Sequence, residues 1–125
     1  MNSPKTVLVV DDSRFSRLIS RQIILSKYPD WRIEEAVSGE EAIEKMNSLS
    51  PHLVLMDVNM PGMGGIAAAE KLRAQFPKMP IFLQTANIQE ATRNKAASIG
   101  VGFLEKPINE ERVHKVLSEL GTVNV

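Results

Sequence analysis

Three carboxylates, a hydroxyl and an ammonium in this chain each follow a short apolar run. Asp11 and Asp12 come directly after Thr6 to Val10, and Asp57 ends the run that starts at Leu53. Thr85 closes the stretch from Pro80, and Lys106 lies just beyond Val101 to Leu104. Asp57 taken alone is as readily a residue that opens a turn as a functional acid. The group together has a definite chemistry. Crowded carboxylates repel one another unless a proton or a cation relieves them, and an all-oxygen ligand set suits a hard divalent ion such as Mg²⁺. Mg²⁺ reserves coordination positions for phosphate oxygens, and an ammonium and a hydroxyl can hold the oxygens whose charge the metal only partly offsets. A carboxylate can serve as the nucleophile that accepts a phosphoryl group, and Asp57 is the acid best placed for it.

Such a group acts only if the fold brings it together, and the pattern of the chain predicts that it does. Thr6 to Val10 and Leu53 to Met56 read as strands buried on both faces. Trp31 to Val37 is a weaker strand, interrupted by Glu34 and Glu35 and therefore placed at an edge. Pro80 to Thr85 and Val101 to Leu104 complete five strands. Between them lie five helical segments. In the first, Phe15, Leu18, Ile19, Gln22 and Ile23 share a face, with Arg14, Arg17 and Arg21 mostly off it. Ser38 with Glu41 forms a capping box before Ala42, Ile43 and Met46, and Ile66, Ala69, Leu72 and Phe76 mark the inner face of a third helix. Asn87 with Glu90 is expected to cap the fourth, which Gly100 ends, and Asn109 to cap the last, with Val113, Val116, Leu117 and Leu120 at helical spacing. Strict alternation of strands and helices predicts a doubly wound, flavodoxin-like (βα)5 α/β fold, with a parallel five-stranded sheet in the order 2-1-3-4-5. In that order the switch point lies between strands one and three, whose C-terminal ends carry Asp11, Asp12 and Asp57.

Bulk properties narrow the classes of function. The 125 residues suit a single domain, residues 1–125. Lys and Arg number 15 and so do Asp and Glu, so the chain lacks the basic excess of a nucleic-acid binder. With no cysteine there is neither a thiolate metal site nor a cysteine nucleophile, which fits a reducing, cytoplasmic compartment. No apolar run approaches the roughly 20 residues of a membrane span.

Asp11-Asp12 after strand one, Asp57 with Met60-Pro61 after strand three, Thr85-Ala86 after strand four and Lys106-Pro107 after strand five occur in one order, each at its own strand end. In this the chain resembles, from Lys5 to Leu120, the receiver domain of two-component response regulators. The resemblance implies that Asp57 accepts a phosphoryl group from a phosphohistidine on a sensor histidine kinase or phosphotransfer domain. It implies that Asp12 binds Mg²⁺ directly, Asp11 through water, and Asn59 through its backbone carbonyl, with Mn²⁺ as a substitute ion. Lys106 would pair with the phosphoryl group, and its bond to Pro107 would be cis. Thr85 would turn toward the phosphate, making room for Phe103 and altering the face of the fourth helix, fifth strand and fifth helix toward a protein target. Asn59 and Asn87 would influence the lifetime of the acyl phosphate, and a phosphatase is a further implied partner. The chain departs from the family pattern at Gly64-Gly65, expected to loosen the third helix start, at His52, and at Phe103, where Tyr is frequent.

Plainer roles stand beside these. Asp12 alone would be a helix cap, Thr85 a strand residue, Lys106 a solvated cation and Phe103 a buried aromatic. Glu40-Glu41 and Glu110-Glu111 fall in first helical turns, where acids complement the dipole. His52 and His114 are too isolated for a triad or a metal site. Of the rival functions, a phosphatase of the haloacid-dehalogenase type also uses an aspartyl phosphate and Mg²⁺, but its nucleophile follows the first strand in an Asp-x-Asp pattern. Here the lone acid follows the third strand, and Asn59 replaces the second Asp. A phosphoacceptor switch, not a turnover enzyme, is therefore expected. Because the chain stops at Val125, just after the last helix, a stand-alone receiver of the chemotaxis type is favoured over a receiver fragment of a larger regulator.

Overall fold

The computed structural model describes residues 4–86, 89–106 and 108–123. Five strands, β1 (Thr6–Val10), β2 (Arg32–Ala36), β3 (Leu53–Asp57), β4 (Ile81–Thr85) and β5 (Gly102–Glu105), alternate with five helices. These are α1 (Arg14–Lys27), α2 (Gly39–Leu49), α3 (Gly64–Gln75), α4 (Glu90–Ile99) and α5 (Glu110–Val123). All strand pairings are parallel and the sheet order is β2-β1-β3-β4-β5, as the alternating pattern predicts. β3 is central and buried at all five residues, which is why its sequence is apolar without alternation.

Strand side chains divide between two cores. Leu8, Val10, Val54, Met56, Ile81 and Leu83 pack with Ala42, Met46, Ala69 and Leu72 under α2 and α3. Val7, Val9, Leu53, Leu55 and Leu104 pack on the opposite face with Ile24 of α1 and Val113, Val116 and Leu117 of α5. Capping follows the chemistry of the residues at three helix starts. Ser13 Oγ accepts from the Ser16 N–H, Ser38 Oγ from the Glu41 N–H, and Asn109 Oδ1 from the Arg112 N–H. Gly100 ends α4 in the left-handed conformation, φ 82°.

Two expectations need correction. The fully buried residues of α1 are Ser20 and Ile24, Ile23 packs against the same core and Ile19 is half-buried, whereas Phe15, Leu18 and Gln22 are exposed. Arg17 and Arg21 reach Glu35 on the edge strand β2, and the helix seats on the sheet through Ile24, which leaves Phe15 and Leu18 on its outer side. α4 begins at Glu90 with Gln89 at the cap position, so the cap expected from Asn87 with Glu90 is displaced. Asn87 itself lies outside the described residues, as does Pro107 with its expected cis bond. At the start of α3, Gly64 takes φ 78°, open to glycine at little cost, and Gly65 sits buried with its N–H donating to the Val58 carbonyl.

Candidate functional site

Parallel pairing continues one residue past the strand ends and fixes the backbone that carries the acids. The Asp11 N–H donates to the Ala36 carbonyl, the Val58 N–H to Gln84, and the Lys106 N–H to Thr85. The C-terminal ends of β1, β3, β4 and β5 thus converge at the point where strand order reverses. Asp11 and Asp57 are buried, at 2% and 5% exposure, and Asp12 is exposed at the mouth. One ligand atom from each of the three lies within 4.8 Å of the others. Lys106 Nζ is 3.0 Å from Asp57 Oδ1 and 3.3 Å from Asp11 Oδ2, so the ammonium bridges two carboxylates. Thr85 is fully buried at the end of β4.

The electrostatics follow from burial and neighbours. Removal from water pushes the Asp57 carboxyl above the usual aspartate range, and the Asp11 charge adds to this. The hydrogen bond from Lys106 and one from the Asn59 backbone N–H oppose the rise without cancelling it. Burial alone would lower Lys106, but its contacts with Asp57 and Asp11 outweigh that and hold the ammonium above its ordinary value. With every group ionised, three carboxylates face one ammonium, an excess of two negative charges. An all-oxygen donor set with that excess fits a hard divalent cation.

Ser13, not Asp12, caps α1, which leaves the Asp12 carboxylate outside the cap. Asp11 Oδ1 accepts from the Ser13 N–H at 2.9 Å, so one oxygen of Asp11 anchors the turn and the other meets Lys106. Phe103 is half-buried against the α2–α4 core, and the Arg93 guanidinium lies 5.7 Å from its ring centre. Thr85 pairs in register with Glu105, two residues beyond Phe103, which puts Thr85 and Phe103 on the same sheet face.

Three contributors were not legible as site residues. Arg17, expected on the solvent side, donates from Nη1 to the Asp11 carbonyl at 2.8 Å and from Nε to Glu35 Oε1 at 2.7 Å, bracing the loop that holds two acids. Glu40 Oε2 accepts from the Met63 N–H at 3.2 Å and so ties α2 to the loop after Asp57. Gly65 allows the start of α3 to approach the Asp57 backbone, where a Cβ would be 2.0 Å from the carbonyl oxygen. Only the glycine left a sequence signal, and it reads equally well as a flexible loop. A groove of about 520 Å³ lined by Pro51, His52, Phe76 and Met79 lies at the other end of the strands, away from these groups. There His52 Nδ1 accepts from the Thr6 N–H at 3.0 Å, a structural contact.

Fold and pocket define a doubly wound α/β domain with an acidic, lysine-bridged cleft at its switch point. The chain belongs to the response regulator receiver domain family, whose model matches residues 7–118. It is 36% identical over 117 residues to the chemotaxis protein CheY of Thermotoga maritima, covering 93% of this chain and 97% of that protein. It is 34% identical over 117 residues to a protein-glutamate methylesterase/protein-glutamine glutaminase 1 of Methanosarcina mazei, covering 90% of this chain. The chain spans 32% of the length of that second relative. Among solved structures, the chemotaxis protein CheY4 of Vibrio cholerae superposes with a TM-score of 0.85 at 28% identity, covering 94% of this chain and 99% of that one. Membership of this family makes the chain a receiver of the phosphorylation-activated signalling class, the class its strand-end residues imply. The haloacid-dehalogenase reading is not supported. Among the described residues no helix is long and apolar enough to cross a membrane.

Proposed function

We propose that Asp57 is the phosphoacceptor of a single receiver domain spanning residues 1–125, charged by a histidine kinase or phosphotransfer domain in the cytoplasm. The observation that carries this reading is the Lys106 ammonium bridging Asp57 and Asp11 inside a cluster of three acids. An ionised oxygen of Asp57 attacks the phosphorus of a phosphoimidazole. The O–P bond forms as the P–N bond breaks, and the imidazole leaves and takes up a proton. Asp12, Asp11, Asp57 and the Asn59 carbonyl would hold Mg²⁺, or Mn²⁺ in its place. The ion supplies positive charge against the phosphoryl oxygens. Lys106, already charged and in contact with Asp57, follows the phosphoryl group without being recruited from solvent. The Thr85 hydroxyl donates to a phosphoryl oxygen. Asn59 and Asn87, two positions beyond Asp57 and Thr85 in the sequence, tune the lifetime of the acyl phosphate.

The chain acts as an acceptor and switch, not a turnover enzyme. Phosphorylation adds about one negative charge and favours the conformer in which Thr85 and Lys106 reach it. Phe103, on the same face as Thr85, follows into the space released, and the surface of α4, β5 and α5 changes its affinity for a protein target. The likeness to a chemotaxis receiver supports a signalling role of that type. The test is to expose the chain to acetyl phosphate with Mg²⁺ and weigh it intact. One added phosphoryl group is expected, lost in Asp57→Asn and on chelation of the metal. Equal labelling of Asp57→Asn would overturn the assignment.

A further inference from the structure

Arg17 is nearly buried, with 12% of its side chain exposed against 38% for Arg21 on the same helix. Withdrawing a guanidinium this far from water is unfavourable unless its donors are met. Two acceptors from different parts of the chain meet them. Nε donates to Glu35 Oε1 of β2 at 2.7 Å, and Nη1 to the Asp11 carbonyl at 2.8 Å. The guanidinium is a planar fork, so the carboxylate that holds one prong aims the other. That second prong is aimed at the peptide bond joining Asp11 to Asp12. The bond is rigid and planar, so holding its oxygen fixes the rotation of the whole unit and the direction in which the Asp12 side chain leaves the backbone. Asp11 is secured separately: its N–H donates to the Ala36 carbonyl and its Oδ1 accepts from the Ser13 N–H. Asp12 is exposed, and Ser13 rather than Asp12 caps α1, so the Asp12 carboxylate takes its direction from the backbone.

We infer that Arg17 is a positioning residue for the cation: aimed by Glu35, it presets the Asp12 carboxylate through the peptide that Asp12 shares with Asp11. This role rests on the reading of Asp11, Asp12 and Asp57 as the Mg²⁺ site. Charge alone predicts the opposite effect. Arg17 is a positive charge beside the acids, and as a charge it opposes a divalent cation. Its removal should tighten Mg²⁺ binding if Arg17 acts only through its field, and weaken it if Arg17 holds Asp12 in place. Arg21 separates the two contributions, since it carries the same charge and donates to the same carboxylate, at Glu35 Oε2, while its other contact is the Ile33 carbonyl and not Asp11.

The test is calorimetric titration of Mg²⁺ into the full chain without phosphodonor, with far-UV circular dichroism confirming that each variant is folded. Arg17→Met should bind Mg²⁺ about ten-fold more weakly than the native chain, the usual cost of losing a group that orients a metal ligand. Arg17→Lys keeps the charge on a helix-compatible side chain but lacks the fork that reaches Glu35 and the Asp11 carbonyl together, so it should recover little of the loss. Arg21→Met should stay within about two-fold of the native affinity. Unchanged or tighter binding by Arg17→Met, native affinity in Arg17→Lys, or an equal loss in Arg21→Met would each overturn the role of Arg17 and leave the Mg²⁺ site standing. Absence of saturable binding by the native chain would overturn the site and this role together.

Discussion

A Cβ built on Gly65 would lie 2.0 Å from the carbonyl oxygen of Asp57, 2.8 Å from its carbon and 2.9 Å from Val58 Cα. All three are backbone atoms of the strand tip and the turn beyond it, so no side-chain rotation can relieve the clash. Gly65→Ala should therefore displace α3 from β3, cost roughly 3 kcal/mol and disturb the acid that the tip presents. Chemical denaturation measures the loss. A variant that unfolds at the same urea concentration as the native chain would show that the contact is relaxed in solution.

Removing the bridging cation should act in opposite directions on two readouts. Lys106→Met leaves the three acids without their ammonium, so calorimetry should show tighter Mg²⁺ binding. Phosphoryl uptake from acetyl phosphate should slow by about ten-fold or more, because a charge-stabilising donor is lost. Weaker binding of Mg²⁺ by this variant would mean that Lys106 orders the metal site in addition to opposing its charge.

Mg²⁺ should also stabilise the fold, since an ion that binds the native cluster and not the unfolded chain shifts unfolding by mass action. At 100 times its dissociation constant the gain is about 2.7 kcal/mol. Thermal unfolding with and without the ion reads it out. Asp12→Ala should remove most of the gain while changing the metal-free midpoint little, because Ser13 and not Asp12 caps α1. A shift that survives in Asp12→Ala would place the ion elsewhere.

Glu35 predicts a limb of acid sensitivity. Hydrogen bonds from Arg21 and Arg17 hold its carboxyl below the ordinary glutamate value, so the native state binds this proton less readily than the unfolded chain. Its contribution is fully present above roughly pH 4.3 and is lost as pH falls through the lower folded value. Its side chain is 34% exposed, so screening limits the effect to about 0.5–1 kcal/mol. Glu35→Gln should lower stability at pH 7 and flatten this limb. Parallel curves for the two proteins below pH 5 would argue against the pairing.

Much of the architecture is local in origin. β1 and β3 are buried on both faces, so their runs are continuously apolar, and Asp11 and Asp57 mark where each leaves the core. Ser38 and Asn109 carry their own capping chemistry, and Gly100 its own turn. The strand order and the five strand-end residues followed from these signals together with the right-handed rules for parallel sheets.

The tertiary structure decided what depends on residues distant in sequence. The face of α1 could not be read from its apolar spacing alone, because α1 seats on the sheet through Ile24 and pairs Arg17 and Arg21 with Glu35 of another strand, while Phe15 and Leu18 stay outside. Gly65 looked like a flexible link until the Asp57 backbone was found against it. Gln84 looked like the polar end of a strand, and in the fold it is only 2% exposed, on the sheet face that carries α1 and α5. The sequence by itself thus determined which elements form and which acids end them, because hydrophobic periodicity and capping act within a few residues. Only the fold decided which surfaces those elements share and where each charge is answered, because those energies belong to pairs of atoms that the chain order does not bring together.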